Sequence, residues 1–350
     1  MSTPKDIERN IEFEFVRATE NAALNSIHWM GRGQKESADE AACDAINGVF
    51  DLVDIRGEVV IGEGIKDNAP GIFLGDRLGT WKEGSPRFDI ALDPIDGTSN
   101  IAKGMPNSIS VISAAYVPEG QENGMVNIPS FYSEKLAYGP QISEAIRLRE
   151  LAPITLDNPF EKTLIVAAAA LNKRISDLVI VVLDRPRNQK YIDIVRNEGA
   201  SLRLIADGDI AAAVAPSLPD SGVDLYVGIG GSPEGILTAS ALKALGGEIL
   251  LRMWPRDAAE REELLKTVSV EDLEKVYTTD ELVTGESSIF CATGISDSPL
   301  LPGVKLVGNT ATTHSILMRA RSQTVRYIRA VHNLGTKTIN LRSIKRETNV

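Results

Sequence analysis

Histidine and cysteine are scarce in this 350-residue chain: three histidines, His28, His314 and His332, and two cysteines, Cys43 and Cys291. No H-E-x-x-H pair or similar spacing occurs, so the common zinc arrangements are excluded. Two cysteines this far apart, with no secretion signal, read as free thiols and argue against a dithiol redox switch. No apolar run approaches the ~18–20 residues of a membrane span. Positive charge is also in deficit. Lys and Arg number 37 against 48 Asp and Glu, a net charge of −11, so nucleic acid is not the expected partner. The first residues mix acids and bases without the apolar centre of a signal peptide, and the expected location is the cytoplasm. No Walker A sequence is present. Gly228-x-Gly230 is followed by Pro233 where a dinucleotide fingerprint needs its third glycine. A nucleotide-driven machine is therefore disfavoured.

What remains is a chain of ordinary globular composition, long enough for two domains. Residues 5–30 read as an amphipathic helix with Ile7, Ile11, Phe15, Ala18, Ala22 and Ile27 on one face. After Gly31 and Gly33 a second helix is expected, with Ser37 as N-cap and Glu40 closing a capping box. "GEVVIGEG", "GIFLGDRLGT", "FDIALD", "ISVISAAYVP" and "EKLAYG" read as strands, the third ended by Pro94. From 161 onward apolar runs, "TLIVAAA" and "LVIVVLD" first, alternate with helices such as "KYIDIVRNEG" and "SPEGILTASALKALGG", a pattern of parallel α/β sheet. Residues 253–287 read as a charged surface excursion, and "SSIFCATGI", "GVKLVGN" and "TTHSILMRARSQTVRYIRAVH" as strands returning to a core. The expected architecture is an α+β domain over 1–160 joined to an α/β domain over 161–350, with the seam near Pro153 and Pro159.

Carboxylates collect at strand ends and helix starts. "ALDPIDGT" delivers Asp93 and Asp96, followed by Gly97 and Thr98. Glu63 sits in "VVIGEG", Asp39 in the first turn of a helix, and Glu234 opens another after Ser232 and Pro233. Taken singly, each has an ordinary reading: Asp39 and Glu234 suit the positive end of a helix dipole, Asp93 an Asx turn, Glu63 an exposed turn. Taken together, four or five acids converging at one point need a cation, and an oxygen-only donor set points to Mg²⁺ or Mn²⁺. Two such ions about 4 Å apart suit phosphate hydrolysis. Gly97 lets backbone approach a phosphate, and the Thr98 hydroxyl can orient a water. Arg185 and Arg187 can pair with phosphate oxygens or form a solvated turn. Asp207 and Asp209 in "DGDIA" can take hydrogen bonds from sugar hydroxyls or cap a helix. Gly230 and Gly231 offer an anion cradle. "DGDIA" also suggests the D-x-D nucleophile of aspartyl-phosphate phosphatases, but Ala211 stands where Thr or Val is expected.

"GRGQKESADEAACDAI", "VVIGEGIKDNAPGIFLG", "DIALDPIDGTSNIAKG", "RPRNQKYI", "IADGDIAAA", "YVGIGGSPEGILTASALKALGG" and "FCATGI" together resemble the class II fructose-1,6-bisphosphatases of the lithium-sensitive metal-phosphatase superfamily along nearly the whole chain. Within that family they look most like the cyanobacterial type that also hydrolyses sedoheptulose 1,7-bisphosphate. The resemblance implies a layered sugar-phosphatase fold with sheets sandwiched by helices. It makes Asp39, Glu63, Asp93, Asp96 and Glu234 metal ligands. Asp96 stands where the family often has Glu and is either a direct ligand or a neighbour of one. Asp96, Gly97 and Thr98 would line the 1-phosphate site, with Thr98, Asp67 and Lys35 serving catalysis. Tyr132, Arg185, Pro186, Arg187, Asp207, Gly208, Asp209 and Gly231 match substrate-binding positions. A homotetramer, roles in the Calvin cycle and gluconeogenesis, and inhibition by AMP are also implied, the last on no particular residues. Two alternatives stay open: an inositol-type monophosphatase and a non-enzymatic sugar-phosphate-binding regulator.

Overall fold

Small apolar residues set the first layer. In the computed structural model, which describes residues 7–62, 71–285 and 287–343, helix α1 (Glu12–Ser26) buries Phe15, Ala18 and Ala22. Short 3₁₀ turns over Ile7–Asn10 and Ile27–Trp29 flank it, and Ile7, Ile11 and Ile27 pack partly buried against the same core. The expected helix is thus real but shorter. Helix α2 (Lys35–Phe50) lies beside it, burying Ala38, Ala42, Ala45 and Ile46. It begins after Gln34 with no side-chain cap, so the expected Ser37 cap is corrected. Burial of this small-residue face holds the helix, and a turn is added upstream of the polar residues that look like a cap.

Among the described residues these helices cover a mixed eight-stranded sheet: β1 (Arg56–Ile61), β2 (Arg77–Leu78), β3 (Arg87–Asp96), β4 (Ile109–Tyr116), β10 (Ser288–Gly294), β11 (Lys305–Val307), β12 (Thr310–Arg319) and β13 (Thr324–Asn333). The order is β11-β12-β10-β4-β3-β1-β2, with β13 along β12. Among the described residues only β1 and β3 are parallel. β3 does not stop at Pro94. It continues to Asp96 through a bulge, three steps from Asp93 to Asp96 matching two on β4 from Val111 to Ile109. A proline has no N–H to give a ladder and is tolerated at such a bulge. Helix α3 (Thr98–Lys103) follows at once. This unit comprises Met1–Met125 and Thr284–Val350.

The second unit, Val126–Val283, contains the expected seam at 153–159 within it. Its sheet has five strands in the order β7-β6-β8-β5-β9: β5 (Tyr132–Tyr138), β6 (Val179–Leu183), β7 (Ser201–Ile205), β8 (Leu225–Gly231) and β9 (Glu248–Met253). β6 runs parallel to β7 and β8, while β5 is antiparallel to β8 and β9. The sheet is therefore mixed rather than wholly parallel. Its helices are α4 (Pro140–Arg147), α5 (Phe160–Leu171), α6 (Gln189–Asn197), α7 (Asp209–Val214), α8 (Ser232–Leu245), α9 (Ala258–Leu264), α10 (Val270–Glu274) and α11 (Thr279–Leu282). "TLIVAAA", expected as an apolar strand, lies inside α5. Both cysteines are buried, and neither forms a disulfide.

Candidate active site

In the first unit, the bulge in β3 shapes the acidic segment. It turns the Ile95 N–H onto Asp93 Oδ1 at 3.0 Å. Asp93 is half-buried and Asp96 is 4% exposed. Gly97 follows at φ +91, and a β-carbon there would lie 2.5 Å from the Asn107 carbonyl oxygen, so only glycine fits this corner. It caps α3, whose first residue is Thr98, half-buried. Asp39 projects from the second turn of α2, which packs on β3 and α3, and is half-buried. Lys35 is exposed at the start of α2. Because β1 is parallel to β3, its C-terminal end at Ile61 lies at the same sheet edge as Asp93–Asp96. Glu63 and Asp67 lie outside the described residues.

In the second unit the topology gathers the remaining positions. β6, β7 and β8 point the same way, so their C-terminal ends share one edge. β5, running the other way, brings its first residue there too. The strand order reverses direction at β6, where open α/β sheets place ligands. β6 leads to Arg185, Pro186 and Arg187, β7 to Asp207, Gly208 and Asp209, and β8 to Gly231 and Glu234; β5 starts at Tyr132. The Arg187 guanidinium lies 4.1 Å from the Tyr132 ring centre and gives its Nε–H to the Ile229 carbonyl at 2.9 Å. Tyr132 is paired with Gly231. Arg185 donates to the carbonyl of Asp184 at 3.0 Å.

Asn188, fully buried, fixes this arginine loop. Its Oδ1 accepts the Ile229 N–H at 2.6 Å and its Nδ2 donates to Leu183 at 2.9 Å. Asp207 is half-buried, Gly208 adopts φ +79 as cap of α7, and Asp209 is 5% exposed. Asp209 Oδ2 accepts from Lys135 Nζ at 2.7 Å and from the Tyr226 hydroxyl at 2.9 Å. Lys135, Tyr226 and Asn188 escape a motif reading. Lys135 had a signal: it alternates with Ser133 and Ala137 on the buried face of β5.

Glu234 occupies the third position of α8, where a helix N-terminus favours an anion. Its Oε2 is enclosed and has no hydrogen-bond partner among the described residues. Burial pushes its carboxyl up to about 6, with Asp209 adding to the rise and Lys135 opposing it. An enclosed acceptor-only oxygen beside other acids fits a hard cation. Among the described residues no three His, Cys, Asp or Glu side chains converge, and one of the expected ligands, Glu63, is outside them.

A profile of the family described as "Bacterial fructose-1,6-bisphosphatase, glpX-encoded" matches residues 9–332. A fructose-1,6-bisphosphatase class 2 from Haemophilus influenzae (strain Rd) is 38% identical over 339 residues, covering 94% of this chain and 97% of the relative. The D-fructose 1,6-bisphosphatase class 2/sedoheptulose 1,7-bisphosphatase of Synechococcus sp. (strain JA-2-3B'a(2-13)) is 33% identical over 349 residues, covering 93% and 96%. With that extent and those motifs in place, the chain belongs to the bacterial class II fructose-1,6-bisphosphatase family, metal-dependent phosphoric monoester hydrolases.

Proposed function

We infer that this protein hydrolyses the 1-phosphate of fructose 1,6-bisphosphate and of sedoheptulose 1,7-bisphosphate, in the Calvin cycle and gluconeogenesis, in the cytoplasm. The observation that carries this is the single sheet edge of the second unit. It presents two arginines, an aromatic ring and an Asp-Gly-Asp turn together, a set suited to a phosphate beside a polyol. Arg185, Pro186 and Arg187 take the phosphate that is not cleaved. Tyr132, Gly231, Asp207, Gly208 and Asp209 face the sugar.

Asp39, Glu63, Asp93, Asp96 and Glu234 would hold two or more Mg²⁺ or Mn²⁺ ions. When bound, such ions neutralise phosphate charge and make water more acidic. Thr98 accepts a hydrogen bond from the attacking water and aims its lone pair at phosphorus. The new bond joins water oxygen to phosphorus while the bond from phosphorus to the C1 oxygen breaks. The departing electron pair stays on that oxygen, which takes a proton. Asp67 assists by accepting the water's proton, and Lys35 and the Gly97 backbone steady the phosphate charge. The same reading includes inhibition by AMP and a homotetramer. The ten-residue β13, paired among the described residues with β12 alone and carrying Val331 59% exposed, supports assembly with further copies. Phosphate release from the two bisphosphates and from inositol monophosphate tests the substrate class. The bisphosphates should turn over at least about 100-fold faster, as two missing charge-assisted contacts imply; equal rates would favour a monophosphatase.

A further inference from the structure

One buried charge in the second unit has no part in the reading above. Lys135 is 1% exposed, in the middle of β5. Its ammonium lies 2.7 Å from Asp209 Oδ2 and 3.0 Å from the carbonyl oxygen of Gly231, the residue that caps α8. A slot without side chains is cut for it. A β-carbon on Gly230 would lie 2.9 Å from Lys135 Nζ and 2.3 Å from Asp209 Oδ2. One on Gly235 would lie 3.2 Å from Lys135 Cδ. The glycines of "GIGGSPEG" thus make room for the chain's own lysine and its carboxylate.

Stability alone is a poor reason for such a pair. A buried ion pair gains little over well-packed apolar side chains, because both charges must leave water. What it supplies is geometry. One cation ties the Asp207–Asp209 turn, the start of α8 and the centre of the sheet to a single point. We propose that Lys135 is a positioning residue of the phosphatase: an internal cation that holds the Gly231–Glu234 turn and the Asp209 carboxylate where the reaction uses them. It is too enclosed to touch substrate and acts through these partners. The proposal rests on the assignment of Glu234 as a metal ligand and of Asp209 and Gly231 to the substrate side.

The test compares Lys135→Met, the double variant Lys135→Met/Asp209→Asn and Glu234→Gln with the wild type. The readouts are thermal unfolding, Mn²⁺ affinity by calorimetry without substrate, and kcat and KM for fructose 1,6-bisphosphate. Lys135→Met should weaken Mn²⁺ binding and lower kcat by about 10–100-fold each, as loss of a group that orients metal ligands does. The double variant, with no unpaired carboxylate, should regain thermal stability while Mn²⁺ binding stays weak, because the Gly231 carbonyl remains untethered. It also carries the test should the single variant not fold. Wild-type Mn²⁺ affinity and kcat in Lys135→Met would overturn the proposal. So would full recovery of Mn²⁺ affinity in the double variant, which would reduce Lys135 to a counter-charge for Asp209. Glu234→Gln binding Mn²⁺ like the wild type would instead overturn the Glu234 assignment, and this inference with it.

Discussion

A β-carbon on Gly230 would lie 2.3 Å from Asp209 Oδ2 and 2.9 Å from Lys135 Nζ, so residue identity here is set by neighbours distant in sequence. From sequence, Gly230 and Gly231 read as room for an anion; the fold fills that room with Asp209, Lys135 and Glu234. The residue types were legible and their partners were not, because a partner 96 residues away leaves no local pattern. From sequence Arg187 is a phosphate grip or a solvated turn, and its stacking on Tyr132 adds a requirement for a planar cation. Arg187→Ala should raise KM for fructose 1,6-bisphosphate about 10–100-fold, the worth of a charge-assisted contact. Arg187→Lys should recover only part of it, as steady-state kinetics will show. His332 belongs to β13 of the first unit. Thr313 gives its hydroxyl hydrogen to Glu20 at 3.1 Å, so His332 Nε2–H donates to Thr313 Oγ1 at 2.8 Å. Burial, then the Lys337 charge, holds the imidazole below its ordinary 6.5. The unfolded chain therefore takes up this proton first. Its contribution to stability is complete above pH 6.5 and is lost as pH falls through the lower folded value. Urea midpoints between pH 5 and 8 should show this slope in the wild type and a shallower one in His332→Gln.

Among elements, strands with β-branched runs and helices ending on glycine were readable. β6, β8 and α8 stand where the sequence places them, α8 closing on Gly246 at φ +77. The segment in α5 was not. Its β-branched residues favour a strand locally, yet Phe160, Leu164, Ala167 and Ala168 are buried at helical spacing, and burial of that stripe outweighs the weaker local preference. Pro94 misled in the other direction, since a bulge admits it within β3. The arginine loop between β6 and α6 depends on Asn188, whose three hydrogen bonds reach Leu183 and Ile229. Asn188→Ala leaves the buried Ile229 N–H without its acceptor, a cost of about 1–3 kcal/mol. Calorimetry should show that loss, together with a raised KM from a loosened loop. Wild-type stability would mean that the loop is held by other contacts.

At the scale of the whole molecule, the chain leaves the first unit after Met125 and returns at Thr284. The two passages are hydrogen-bonded neighbours, Thr284 N–H to Gly124 O at 3.1 Å and Val126 N–H to Leu282 O at 2.9 Å. Asp89, fully buried, fastens the exit by accepting the N–H groups of Gly124 and Met125 at 2.6 and 3.3 Å. Composition along the chain gives no sign of this, because an insertion between two strands of one sheet requires no linker. A seam was therefore expected at the prolines 153 and 159, inside the second unit. Function was legible further than architecture. The motif "ALDPIDGT" is written in adjacent residues, whereas the split of the units lies in pairings between residues some 160 positions apart. The most direct test is phosphate release from fructose 1,6-bisphosphate with Mg²⁺ or Mn²⁺, by the wild type and by Asp93→Ala, each shown to be folded by circular dichroism. One phosphate per sugar is expected from the wild type, with the rate lower by about 100-fold or more in the variant. A folded Asp93→Ala protein that releases phosphate at the wild-type rate would contradict the assignment.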